Sequence, residues 1–337
     1  MNILLTSVGR RTYMVEYLKA ALGGEGKVFA TNSAMTYSME QADGWLVTPL
    51  IYADDYIDCL LDYCKKEHID ALLSLFDIDL PVLARHAEQF AAIGTKVLVS
   101  SPRVTDICND KWQTHLFLDQ VGVGNPKTYI DLDKAVADLE SGNLSFPLIV
   151  KPRWGMGSIG VYEVETMEEL QVFWKMLKRR IFSTYLRYES KAAPENCVLI
   201  QEKVEGQEYG IDLLNDLQGQ LATVVAKKKA AMRAGETDVA EIVDAAPFMP
   251  MARTLSTSLR HIADLDVDVL VTPTGEAKVI EMNCRFGGQY PFSHLAGVDF
   301  PKQIVKWLKG EGNDESLLHA KVGTVCCKDL APVKWRG

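Results

Sequence analysis

The stretch Asp266–Gln289, DVDVLVTPTGEAKVIEMNCRFGGQ, holds two apolar runs, VLV and KVIEMN, on either side of a turn built on Thr272, Pro273, Thr274 and Gly275. Apolar runs bounded by such turn residues read as a hairpin of two buried strands. Side chains alternate between the two faces of a strand, so Glu281, Asn283 and Arg285 are expected on one face and Ile280, Met282 and Cys284 on the other. A four-residue loop from Pro273 to Glu276 would set Asp268 directly across from Glu281. A carboxylate, an amide and a guanidinium in file on an otherwise apolar strand are costly to bury without partners. Either Arg285 pairs with Glu281 on an edge strand, or Asp268, Glu281 and Asn283 offer hard oxygen ligands to magnesium beside substrate phosphates while Arg285 grips an anion.

Working outward, a chain of 337 residues that is 47% apolar is long enough for two or three domains with substantial cores. Its formal net charge of -9 argues against a broad nucleic-acid or anionic-membrane surface. The opening MNILLTSVGRR is too short and too soon interrupted by Gly9 and Arg10 for a secretion signal, and reads as a first strand. No segment approaches the roughly 20 apolar residues that span a bilayer. The seven cysteines form no C-x-x-C pair and suggest reduced thiols and a cytoplasmic protein, with Cys326 and Cys327 read as strand residues.

Up to about Ser101, apolar runs (NILLTSV, KVFATN, GWLVTP, DALLSLF, TKVLVS) alternate with helical patterns, which predicts a doubly wound parallel sheet binding ligands at the carboxyl ends of its strands. The turn Thr6 to Arg11 and the pair Asp77 and Asp79 fall at that edge, where the aspartates could equally cap a helix. One amphipathic helix is expected over SPRVTDICNDKWQTHLFLDQVG, with Lys111 following Asp110. An α+β unit follows, with strands in FPLIVKPR, GVYEV and VLIQEKV, and then further strands, a helix over Met251 to Ala263, the hairpin, a helix over PKQIVKWLKG and a terminal strand in the tail through Arg336.

Between FPLIVKPR and GVYEV lies Gly155, Met156, Gly157, Ser158, Ile159, Gly160. Its glycines spell G-x-G-x-x-G, but a dinucleotide fingerprint must join a strand to a helix, and this loop joins two strands. Such a loop can fold over triphosphate through its backbone N–H groups, with Lys151 reaching the same phosphates, or it can be a plain surface hairpin. Downstream, Glu202, Lys203 and Val204 at a strand edge can read the amino edge of adenine, and Glu208 can accept hydrogen bonds from ribose.

The ordered set Lys111, Lys151, glycine loop, Glu202-x-Val204, Glu208, Asp268, Glu281-x-Asn283-x-Arg285 resembles the ATP-grasp superfamily. VIEMNCR and DVDVLV are most similar to one half of a carbamoyl-phosphate synthetase large subunit. The resemblance implies an α/β chain: a Rossmann-like pre-ATP-grasp domain (1–101), a connecting helix (102–126), and a two-lobed α+β ATP-grasp fold with a small lobe (127–204) and a large lobe (205–337). It implies ATP held by Lys111, Lys151, Met156 to Gly160, Glu202, Lys203, Val204 and Glu208, and two Mg2+, or Mn2+, on Asp268, Glu281 and Asn283. Arg285 would steady an acyl phosphate. KKKAAMRAGET resembles a mobile loop over the acceptor, giving Lys229, Arg233, Glu236 and Thr237 substrate roles.

Lysine stands at positions 111 and 151 where the synthetase typically has arginine, and Asp268 where it usually has glutamine. These choices look more like the stand-alone ligases. The implied activity is a carboxylate–amine ligase, usually a homodimer, working on small molecules. The alternatives are one subunit of a split carbamoyl-phosphate synthetase using bicarbonate, and a silent ATP-binding regulator. Arg10, Asp79, Arg233, Gln289 and Tyr290 are the expected polar groups of the acceptor pocket.

Overall fold

The computed structural model describes residues 1–155, 157, 159–329 and 331–335. Met156 and Ser158 of the glycine loop, and Arg336 of the expected terminal strand, lie outside them. The first five strands are β1 (Asn2–Thr6), β2 (Lys27–Asn32), β3 (Gly44–Val47), β4 (Ala71–Ser74) and β5 (Lys96–Val97). They form a parallel sheet in the order β3-β2-β1-β4-β5, the doubly wound arrangement expected from alternating strands and helices.

The expected single connecting helix is two, Pro102–Asn109 and Lys111–Val121. Asp110 breaks it: its backbone is extended and its side chain accepts the N–H groups of Trp112 and Gln113, so it caps a new helix instead of continuing the old one. Lys111 is thereby fixed in a first turn.

Strands β6 (Thr128–Tyr129), β7 (Leu148–Pro152), β8 (Tyr162–Val164) and β9 (Val198–Glu202) make an antiparallel sheet in the order β6-β9-β7-β8. The last sheet contains β10 (Gln207–Asn215), β11 (Leu221–Arg233), β12 (Glu236–Val243), β13 (Ala263–Val271), β14 (Ala277–Asn283) and β15 (Val325–Cys327), ordered β14-β13-β10-β11-β12-β15. KKKAAMRAGET is no loop. It completes β11 and enters β12 through a two-residue turn, with Ala234 and Gly235 both at positive φ, the conformation that matches the twist of a tight hairpin. The helix expected over Met251 to Ala263 runs from Met249 to Leu259, and β13 has begun by Ala263.

In the opening hairpin Asp268 does stand across from Glu281. The route differs from the expected one. Val271 pairs with Ala277, so the loop has five residues, and a bulge between Val269 and Asp268 on the pairing ladder absorbs the extra step at Ile280. A bulge puts two residues opposite one and interrupts alternation. Val279, Met282 and Cys284 therefore face the hydrophobic core, whereas Ile280 turns to the same cleft as Glu281.

Candidate active site

Two connected cavities meet along the hairpin. The first, about 330 Å³, lies between the four-stranded sheet and the six-stranded sheet. Lys111, Lys151, Gly155, Gly157, Ile159, Glu202, Lys203, Val204, Glu208, Asp268 and Glu281 all line it. The second, about 230 Å³, is walled by Arg11, Phe76 and Asp77 of the first domain and by Asp266, Asn283, Arg285 and Gln289 among others. Gly157, Gly235, Asp268 and Glu281 belong to both, so the carboxylate pair sits at their junction.

The acidic groups at this junction are held by ammonium groups. Glu281 Oε1 is 2.9 Å from Lys111 Nζ, and Lys229 Nζ lies 2.6 Å from both Asp268 Oδ1 and Glu208 Oε1. Burial pushes Asp268 up to about 6, against the pull of Lys229. Burial also acts to raise Glu281, but Lys111, Lys151 and Arg285 outweigh it and leave its pKa below the ordinary value. Lys151 Nζ donates to Gln201 Oε1 at 2.7 Å, and Lys111 Nζ donates to the main-chain oxygen of Gly155, anchoring the glycine loop to the helix start. A Cβ on Gly160 would meet Leu177 and Pro152, and Gly160 is not among the residues lining the cleft.

Residues 3–98 match the family model described as PylC-like, N-terminal domain, and residues 144–291 match that of the ATP-grasp domain. Residues 144–291 are thus similar to an ATP-grasp domain. The arginine-specific carbamoyl phosphate synthase large chain of Bacillus subtilis is 24% identical over 157 residues, 47% of this chain and 14% of that protein. The multifunctional protein pyr-3 of Neurospora crassa is 23% identical over 286 residues, again 14% of its length. This chain thus spans about a seventh of these relatives. In fold it is similar to the biotin carboxylase domain of Hydrogenobacter thermophilus 2-oxoglutarate carboxylase, solved as a dimer with MgADP and bicarbonate (TM-score 0.74, 16% identity, 96% of this chain and 73% of that one). It is also similar to an L-amino acid ligase from Bacillus licheniformis (TM-score 0.69, 19% identity, 95% and 77%).

The other expected residues are distributed unevenly. The Glu202 side chain accepts from the main-chain N–H of Lys127 at 3.1 Å and lies 3.4 Å from Lys278, and Lys203 Nζ turns to Glu163 at 2.6 Å. Arg285 makes its ion pairs elsewhere than Glu281: it binds Asp77 at 2.9 Å and Asp266 at 3.1 Å, and despite its burial those carboxylates, with Glu281 after them, raise its pKa. Arg233 is exposed, pairs with Asp238 and lines neither cavity, because the hairpin turn sends it outward. Of the five expected acceptor-pocket groups only Gln289 lines the second cavity. Asp79 is instead a buried hub that accepts hydrogen bonds from Thr6, Ser7, Tyr56 and Ser74, and Tyr290 is core.

Sequence reasoning missed Asp266, although Asp264, Asp266 and Asp268 share one face of β13 by simple alternation. Gln289 Nε2 donates to Asp266 at 2.8 Å and to Asp268 at 3.3 Å, tying the two together. The donor set fits magnesium: two carboxylates face to face, an amide beside them, and ammonium groups showing that the edge demands positive charge. Among the described residues no three His, Cys, Asp or Glu side chains converge as a metal cage, and magnesium bound with substrate phosphates needs only one or two carboxylates. A larger cavity, about 950 Å³, is lined by the first domain, the two connecting helices and residues 153–193. Its Asp106 and Asp110 are spent on Arg85 and Arg153, so size does not make it the reaction site.

Proposed function

We propose that this protein is an ATP-dependent carboxylate–amine ligase, and the observation that carries the reading is the Asp268–Glu281 pair at the junction of the two cavities. A nucleotide in the first cavity would present its γ-phosphate there, within reach of Lys111 and Lys151. A substrate carboxylate in the second cavity would attack that phosphorus from the opposite side, forming an acyl phosphate as the bond to ADP breaks. An amine would then attack the acyl carbon, lose a proton and release phosphate, leaving an amide.

Two magnesium ions on Asp268, Glu281 and Asn283 would supply charge neutralisation on the transferring oxygens. Lys111 and Lys151 add fixed positive charge where negative charge is redistributed. Gly155, tied down by Lys111, and Gly157, which lines both cavities, border the junction, where they would help to keep water from the acyl phosphate. Gln289 holds Asp266 and Asp268 in place. The dimer of the carboxylase domain supports a homodimeric assembly.

Replacing Glu281 by Ala is expected to lower ADP formation by about a hundredfold or more, with secondary structure retained by circular dichroism. Turnover within a few-fold of wild type would sink the metal assignment. Phosphate release with magnesium-ATP and a panel of carboxylates crossed with amines, followed by product mass, tests the reaction itself.

A further inference from the structure

Arg285, the guanidinium that the strand pattern singles out, is already spent on Asp77 and Asp266. Arg11 is not. It lies in the turn after β1, at the carboxyl edge of the parallel sheet, and lines the second cavity. Its Nη1 donates to the main-chain oxygen of Phe286 at 2.8 Å. Among the described residues no carboxylate comes within ion-pair distance of it, and most of the five N–H donors of its guanidinium have no protein acceptor. Burial lowers its pKa more than Tyr13, Asp77 and Asp266 raise it, with Arg285 repelling it as well. A half-buried cation with no carboxylate paired to it destabilises a cavity wall unless a ligand brings an anion into contact.

Its position narrows what that anion is. The reacting carboxylate belongs at the Asp268–Glu281 edge, where the cavity opens to the nucleotide side. Arg11 stands with Phe76 and Asp77 on the wall contributed by the first domain. The groups acting on it are Tyr13, Arg285, Asp77 and Asp266, and it acts in turn on Glu236, whereas Glu281 feels Lys111, Lys151 and Arg285.

We propose that Arg11 binds a spectator carboxylate of the substrate, one that is never phosphorylated, through the paired N–H geometry that matches guanidinium to carboxylate. This deepens the ligase reading and rests on it for which carboxylate reacts. The spectator group belongs either to a small dicarboxylic acid serving as acyl donor or to an α-amino acid serving as the amine.

Calorimetry on the full chain separates these sources, using succinate against propionate and glycine against methylamine. One member carrying the extra carboxylate is expected to bind wild type about tenfold or more tightly than its partner. Arg11→Met removes that preference, and Arg11→Lys restores part of it, since an ammonium keeps the charge without the fork. A preference in the succinate pair assigns the group to the donor; one in the glycine pair assigns it to the amine. Arg11→Met should also melt at or above the wild-type temperature, because it deletes a half-buried charge that no carboxylate pairs. Absence of any preference in wild type, a preference that survives Arg11→Met, or a lower melting temperature in Arg11→Met overturns the proposal. If the preference depends on Arg11 while no phosphate is released in the presence of ATP, the ligase reading fails and the anion site stands. Phosphate release indifferent to Arg11→Met removes the anion site alone.

Discussion

Burial, and then the repulsion of Lys111, push the Lys151 ammonium down to about 8, with Glu281 opposing them. A neutral amine cannot balance phosphate charge, so affinity for magnesium-ATP should fall as pH rises through about 8, and the fall should be absent in Lys151→Met. Stability should move the other way. In the unfolded chain the lysine stays protonated to about 10.4, so between about pH 8 and 10 the unfolded state holds more protons and stability rises with pH. Below that window the buried charge costs about 3 kcal/mol. Urea unfolding should therefore show Lys151→Met more stable than wild type at pH 7, with the gain fading by pH 10; an equal or lower midpoint at pH 7 would contradict this account. The lysine was legible in the sequence because it ends an apolar strand just before glycines. Its neighbour Gln201 was not, since it lies 50 residues further on in the chain.

On the scale of single elements, β10 carries a constraint that its sequence does not advertise. A Cβ on Gly210 would sit 1.9 Å from Gln289 Oε1, so only glycine leaves room for the amide that ties Asp266 to Asp268. Gly210→Ala is expected to cost about 1–3 kcal/mol through overpacking and to depress magnesium-dependent ADP formation. Adding Gln289→Ala should recover the stability, read as melting temperature, without the activity. Recovery of both would show that Gln289 has no part in the site. Element types were readable here because apolar runs and turn residues coincide. The strand–strand setting of the glycine loop was readable for the same reason. What failed were local irregularities: Asp110 turned one helix into two, and KKKAAMRAGET, lacking apolar alternation, concealed a long hairpin.

Across the whole molecule, Arg285 links the six-stranded sheet to the first domain through Asp77, a partner 208 residues away. No pattern in a single sequence reports such a distance, which is why strand alternation could mark Arg285 as needing a partner and still not find it. Removing it leaves the buried Asp77 and Asp266 without the cation that pairs them. Arg285→Ala should therefore lose about 3–5 kcal/mol of stability, more than a residue serving substrate alone would cost. Denaturant titration alongside phosphate release would separate the two contributions, and an unchanged midpoint would return Arg285 to a purely substrate-facing role.

The five-residue loop and the extra residue at Ile280 cancel in count. A backbone with a shorter loop and a regular strand would place the same number of letters between its two carboxylates. The two would align without a gap, although one sends position 280 into the core and the other into the nucleotide cleft. A consensus residue chosen at that column would average two different environments, and hairpins exchanged between such proteins would keep their carboxylates in register while presenting a misplaced apolar side chain beside them.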